Sequence, residues 1–173
     1  MLTINFPLKV KLVCVFIYKD IANYTKAKKI LQKKYGPIDY KSPSIDFNYT
    51  NYYTKEMGTP LHREFVSFGK LQKGEDLVKI KLFCIKLEKR FAVENRRSVN
   101  IDPGYINEAR LVLATTKDFS HRVYLGKGIF AEVTLNYFKG EFCHFPTTFP
   151  DYRTTAYKNI LADIRAIYCK QIK

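Results

Sequence analysis

The sequence predicts an α+β fold: one domain over residues 1–173, mainly antiparallel sheet with about three helices. Three observations carry this reading. Apolar and aromatic residues alternate in several short runs, stretches of helical apolar spacing lie between them, and glycine-marked turns join the last strands. The 173 residues suffice for one core, and no repeat, Ser/Gly linker or low-complexity tract divides them.

Residues 9–18 read as the first strand, because Val10, Leu12, Cys14, Phe16 and Tyr18 alternate in a β-branched and aromatic run. Asp20 then supplies a helix N-cap, its carboxylate accepting from free N–H groups of the first turn. Ile21, Tyr24, Ala27, Leu31 and Tyr35 form the apolar stripe of that helix, and Gly36-Pro37 ends it. Residues 38–60 are mixed, with strand character near 45–49, and residues 62–68 read as a further strand. Glu75 and Asp76 suit the positive end of a second helix, with Leu77, Ile80, Cys84, Leu87 and Phe91 at helical spacing. Residues 110–115 return to strand. Residues 126–128 turn the chain between strands at 121–125 and 129–138, and Lys139-Gly140 turns it again into 141–145. Thr154 or Thr155 caps a last helix whose stripe is Tyr157, Ile160, Leu161, Ile164 and Ile167. The order β-α-β-β-α-β followed by hairpins suggests a ferredoxin-like core extended by C-terminal antiparallel strands.

Composition narrows the function classes. At 46 % hydrophobic residues the chain is not a disordered one. Its apolar runs fall far short of the roughly 20 residues a bilayer crossing needs. Residues 1–11 lack the order of a signal peptide, so the cytoplasm is the expected location and no membrane partner is expected. Cys14, Cys84, Cys143 and Cys169 are widely spaced in apolar stretches and read as small hydrophobes, neither a zinc set nor disulfides. Thirty Lys and Arg against sixteen Asp and Glu give a net charge of +14. Such a basic protein attracts phosphates and acidic surfaces, although a lysine-rich solvated surface gives the same count.

Chemically capable residues concentrate in three segments. The first is Asn100-Ile101-Asp102-Pro103-Gly104-Tyr105, where Asp-Pro-Gly is ordinary turn chemistry and Asp102 is the member able to act as a base. The second runs over residues 115–122. There Thr116, Lys117, Ser120 and Arg122 can hold an anion, and Asp118 and His121 can exchange protons. The third is residues 148–154, where Asp151 and Arg153 stand at the start of the last helix and can pair with each other or help hold an anion. Hairpin pairing of Leu125 with Ile129 would set Arg122 opposite Glu132. One face would then carry His121, Val123, Leu125, Ile129, Ala131 and Val133, and the other Ser120, Arg122, Tyr124, Phe130, Glu132, Thr134 and Asn136. A bulge would move His121 to the face of Arg122 and Glu132. No phosphate loop, dinucleotide fingerprint, zinc-protease helix or nucleophile elbow occurs, and His62, His121 and His144 have no metal-ligand spacing.

The chain resembles the uncharacterised prokaryotic family known as domain of unknown function 4416. The resemblance rests on residues 52–58 and 100–105, on 114–122 and 131–134, and on Pro150-Asp151-Tyr152-Arg153-Thr154, with Asn51 and Phe149 where Asp and Tyr are expected. It implies one compact domain and no particular activity. From the residues themselves, the first expectation is binding or processing of a small anionic ligand, a nucleotide or phosphorylated metabolite. Asp102, Asp118, His121 and Glu132 would be the candidates for acid/base or metal duty, with no metal-ligand set assigned, and Tyr105, Thr116, Lys117, Ser120, Arg122, Asp151 and Arg153 the binding set, gathered in one pocket. The alternatives are an RNA-binding module with a basic aromatic sheet surface, and an interaction protein that catalyses nothing.

Overall fold

The computed structural model describes residues 3–173. Its elements are β1 (Lys11–Tyr18), α1 (Ile21–Tyr35), β2 (Ile38–Lys41), β3 (Ile45–Asp46), α2 (Thr54–Met57), β4 (His62–Phe68), α3 (Leu77–Arg90), β5 (Val99–Ile106), β6 (Arg110–Thr115), β7 (Arg122–Gly126), β8 (Ile129–Phe138), β9 (Glu141–His144) and α4 (Thr155–Gln171). All strand pairs are antiparallel and form one nine-stranded sheet in the order β2-β4-β1-β5-β6-β8-β7, with β3 added to β4 and β9 to β8. The α+β class read from the sequence holds, with four α-helices rather than three. The extra one is the single-turn α2, in the segment whose mixed pattern gave no periodicity.

β1 is buried along its whole length because helices cover both faces of the sheet. Leu12, Cys14, Phe16 and Tyr18 pack with Val66 and Phe68 of β4 against Tyr24, Ala27 and Leu31 of α1 and Ile80, Cys84 and Leu87 of α3. Val13 and Val15 point the other way, with Phe65, Leu111 and Leu135, onto Tyr157, Ile160, Leu161 and Ile164 of α4. The two alternating sets of one strand thus make two cores. Asp20 caps α1 as its position requires, accepting from the N–H groups of Ala22 and Asn23. Ile21, expected in the α1 stripe, is exposed instead. Cys14 and Cys84 are buried in the first core, and Cys143 and Cys169 are half-buried. Among the described residues no helix is long and apolar enough to cross a membrane.

Two sequence expectations are corrected here. Asp102-Pro103-Gly104 is not a turn: it lies inside β5, which pairs with β1 from Lys11↔Ile106 to Tyr18↔Val99. Gly104 is needed there for closeness rather than for a positive φ. A Cβ at this position would press on the carbonyl oxygen of Val112 and stand 2.6 Å from the Leu113 side chain. In the C-terminal hairpin Arg122 does oppose Glu132, but the register shifts after Tyr124 so that Gly126, not Leu125, opposes Ile129. Lys127 (φ 54°) and Gly128 (φ 74°) then form a two-residue turn whose twist matches the strands.

Gly104→Ala is expected to destabilise the protein by about 2–3 kcal/mol, the range typical of overpacking. Pro103→Ala should cost well under half of that. Urea unfolding midpoints at constant m-value measure both.

Candidate functional site

β5 holds β1 along its full length but meets β6 only at Gly104↔Leu113, Tyr105↔Val112 and Ile106↔Leu111. Beyond Leu113, β6 continues with β8 alone, through Ala114↔Ala131 and Thr115↔Phe130. The two central strands therefore part at Gly104, and the free edge of β5 must find other partners. Successive backbone groups of a strand point to opposite sides, so Ile101 and Pro103 address this edge. Pro103 brings no N–H. The N–H of Ile101 donates to Glu88 Oε1 at 2.6 Å, and its carbonyl accepts from Lys81 Nζ at 3.1 Å. Two side chains of α3 thus stand in for the missing strand.

The parting opens a cavity of about 460 Å³. Lys81, Ile85 and Glu88 of α3 form one wall, and Arg97 with Asn100 and Asp102 of β5 the next. Leu113 to Lys117 and the Arg122–Glu132 pair close the β6 side. Arg63 of β4, the aromatic segment with Phe47, Tyr49, Tyr52 and Tyr53, and Phe149 to Tyr152 complete the lining. Leu113 and Thr115 leave the cavity side of β6 to short or apolar groups, while the charges come from its neighbours.

The charges are organised in two chains and one pair. Glu56 accepts from Arg97 at 2.8 and 2.6 Å, Arg97 donates to Asn100 at 2.7 Å, Asn100 donates to Asp102 at 2.8 Å, and Lys81 donates to the other Asp102 oxygen at 3.1 Å. Across the cavity His121 Nε2 lies 3.1 Å from Glu132 Oε2, to which Arg122 Nε donates at 2.9 Å, and Arg122 Nη1 donates to the Lys117 carbonyl at 3.1 Å. Arg63 pairs with Asp151, and its guanidinium lies 4.1 Å over the Phe47 ring. Its Nε is buried with no acceptor among the described residues.

These contacts set the protonation states. Burial acts to raise the Asp102 carboxyl, but Lys81, Arg63 and Asn100 together hold it below the usual carboxylate range. Asp102 sits deep in the protein, yet about 30 % of its side chain remains open to the cavity. Burial would also neutralise Lys81, but Asp102 and Glu88 outweigh it and keep the ammonium charged. The bonds that Arg97 donates to Glu56 keep its guanidinium charged against burial in the same way. Glu88 goes the other way: burial pushes its carboxyl up to about 7, only partly offset by Lys81 and the Ile101 N–H.

Of the residues singled out in the sequence, Asp102, Thr116, Lys117, Arg122, Glu132 and Asp151 line this one cavity. His121 stands behind Glu132. A turn in which Arg122 N–H donates to the Phe119 carbonyl precedes β7, lifting His121 out of the strand alternation toward the Glu132 face. Tyr105 faces the other side and packs with Leu77, Val112 and Ala114. Asp118 and Ser120 are exposed outside the lining. Arg153 also lies outside it. It donates to the carbonyls of Thr148 and Pro146, while Asp151 pairs with Arg63. Arg63, Lys81, Glu88 and Arg97 were not singled out. Arg63 and Lys81 interrupt a strand run and a helical apolar stripe, and a charge at a buried position was the signal that could have found them. Among the described residues no cluster of three or more His, Cys, Asp and Glu is arranged to hold a metal ion.

A family model described as a domain of unknown function (DUF4416) matches residues 8–168. No curated protein and no solved structure matches the chain.

Glu88 generates a pH dependence of defined sign. Its carboxyl is ordinary, near 4.5, when unfolded and titrates at about 7 when folded. Between those values the folded protein binds the extra proton, so stability falls as pH rises through the window and levels off above it. Glu88→Gln keeps an acceptor for Ile101 and removes the titration. The variant is expected to gain on the native protein by up to about 3 kcal/mol from pH 4.5 to 7.5. Chemical denaturation across that range measures the difference.

Proposed function

We propose that this chain, which belongs to the DUF4416 family, binds a small anionic molecule, a nucleotide or phosphorylated metabolite, in the cavity between β5 and β6. The observation that carries the reading is the charge on the cavity wall. Arg63, Lys81, Arg97, Lys117 and Arg122 face Glu88, Asp102, Glu132 and Asp151, and Glu88 is the carboxyl that burial leaves partly neutral near pH 7. Lys117 makes no ion pair among the described residues and lies 4.0 Å over the Tyr52 ring. A surplus cation at the mouth, together with a buried guanidinium whose Nε lacks an acceptor, suits a phosphate or carboxylate group that supplies oxygen acceptors. Oxygens of this kind gain more in a cavity walled by low-dielectric protein than on the lysine-rich outer surface.

Within this reading Lys117 and Arg122 meet the ligand from the β6 side, with Thr116 beside them, and Asp151 orients Arg63. Asp102, charged and open to the cavity, is the group available to accept a hydrogen bond from a ligand hydroxyl. Glu132 is held by Arg122 and His121 and serves as their anchor. Asp118, Ser120, Tyr105 and Arg153 take no part. Stacking of RNA bases on the central sheet would need an open aromatic face. Phe16, Tyr18, Phe65 and Phe68 are instead buried under the helices, which favours the small ligand.

Thermal-shift titration at constant ionic strength tests the proposal, because a ligand that binds only the folded state raises the melting temperature. Pyrophosphate and ribose 5-phosphate are expected to stabilise the protein, and ribose is not. Lys117→Gln, which breaks no ion pair, should melt like the native protein and weaken phosphate-ligand binding about 5- to 10-fold. Equal stabilisation by ribose, or an unchanged affinity in the variant, would count against the cavity as an anion site.

A further inference from the structure

We infer that the anion carries a planar ring, as a nucleotide does, and that the ring rests on Tyr52 at the cavity mouth. The inference rests on the anion-binding reading and adds the chemical class of the remainder of the ligand. A phosphate group alone would leave most of the space empty. The cavity is about 460 Å³, in the range of sites that enclose whole organic cofactors and metabolites, whereas one water takes roughly 30 Å³.

The mouth is aromatic. Tyr49, Tyr52 and Phe149 line it and remain 45 %, 53 % and 52 % exposed. Exposed rings occur elsewhere, for example Tyr124 and Phe138, but those lie outside the lining of this cavity. Tyr52 is also propped in place. Its ring meets Tyr53 edge-on, centroids 5.0 Å apart and planes at 89°, and Tyr53 in turn packs on Phe47 at 6.0 Å and under the Arg97 guanidinium at 5.6 Å. A platform held this way needs no ordering when a ring lands on it. Its outer face is electron-rich and reachable, since the Lys117 ammonium occupies it at 4.0 Å. An exposed cation–π contact is weak and readily exchanged. A ligand ring stacks on the same face and sends Lys117 toward the anionic group, which lies inward among Arg63, Lys81 and Arg122. Base-on-aromatic stacking is tolerant of which base is presented, so the site distinguishes ring from no ring more sharply than purine from pyrimidine.

Isothermal titration with adenosine monophosphate, uridine monophosphate and ribose 5-phosphate separates this inference from the anion reading beneath it. Both nucleotides are expected to bind at least about 10-fold more tightly than ribose 5-phosphate. Tyr52→Ala should abolish that preference while leaving ribose 5-phosphate affinity unchanged, and Tyr52→Phe should retain it. Should Tyr52→Ala lower the melting temperature, Phe149→Ala provides a second loss at the mouth with the same expected direction. Equal affinities for nucleotide and ribose 5-phosphate in the native protein, or a preference that survives Tyr52→Ala, overturn the ring site and leave the anion site standing. Binding of none of the three overturns both.

Discussion

A β-strand that leaves its neighbour must satisfy its backbone edge by other means, and the rest of the site depends on how β5 does so at Ile101. On the N-terminal side of Gly104, β5 has no pairing with β6, and open edge groups buried in protein would cost of the order of 1–3 kcal/mol each. Glu88 and Lys81 satisfy them from α3, so the sheet stays open without a bare edge. Pro103 suits the same edge because it has no N–H to satisfy. Gly104 sets the point of divergence by letting β5 pass close to Val112 before the strands part.

The electrostatics follow from that substitution of side chains for a strand. Lys81 is drawn in by the Ile101 carbonyl and then needs a counter-charge, which Asp102 supplies. Asp102 is in turn fixed by Asn100, and Asn100 by Arg97, which Glu56 of α2 holds. The small helix α2 thereby anchors the far end of a network whose near end faces the cavity. A buried ion pair contributes little net stability by itself, but losing one partner leaves a stranded charge and costs about 3–5 kcal/mol. The network is consequently hard to alter singly. Lys117 stands apart from it, on an exposed loop and without an ion pair among the described residues.

Much of the scaffold was legible in the sequence, and the site only in half. β1, β4, α1, α3, α4 and the C-terminal strands announced themselves through alternation, helical spacing and capping, because each buries a simple stripe. β5 was hidden by Asp102-Pro103-Gly104, whose composition is that of a turn and whose use here is that of an edge strand with a close crossing. The β6 half of the cavity, with Lys117, Arg122 and Glu132, was readable because hairpin register follows from a local turn, although the turn itself proved one residue shorter. The opposite half was not. Arg63 pairs with Asp151 across 88 positions and Lys81 with Asp102 across 21, and local patterns do not specify such partners. Arg153, equally plausible by composition, instead ties down its own loop at Pro146 and Thr148.

The central claim is that the parting of β5 from β6 makes a site for an anion. A crystal structure with tungstate, an electron-dense oxyanion of phosphate-like shape, tests it directly. Anomalous density is expected inside the cavity, within hydrogen-bond reach of Lys117 and of Arg63 or Arg122, with β5 still separated from β6 on the N-terminal side of Gly104. Tungstate found only among the surface lysines, or strands paired through Asp102 with no cavity between them, would contradict it.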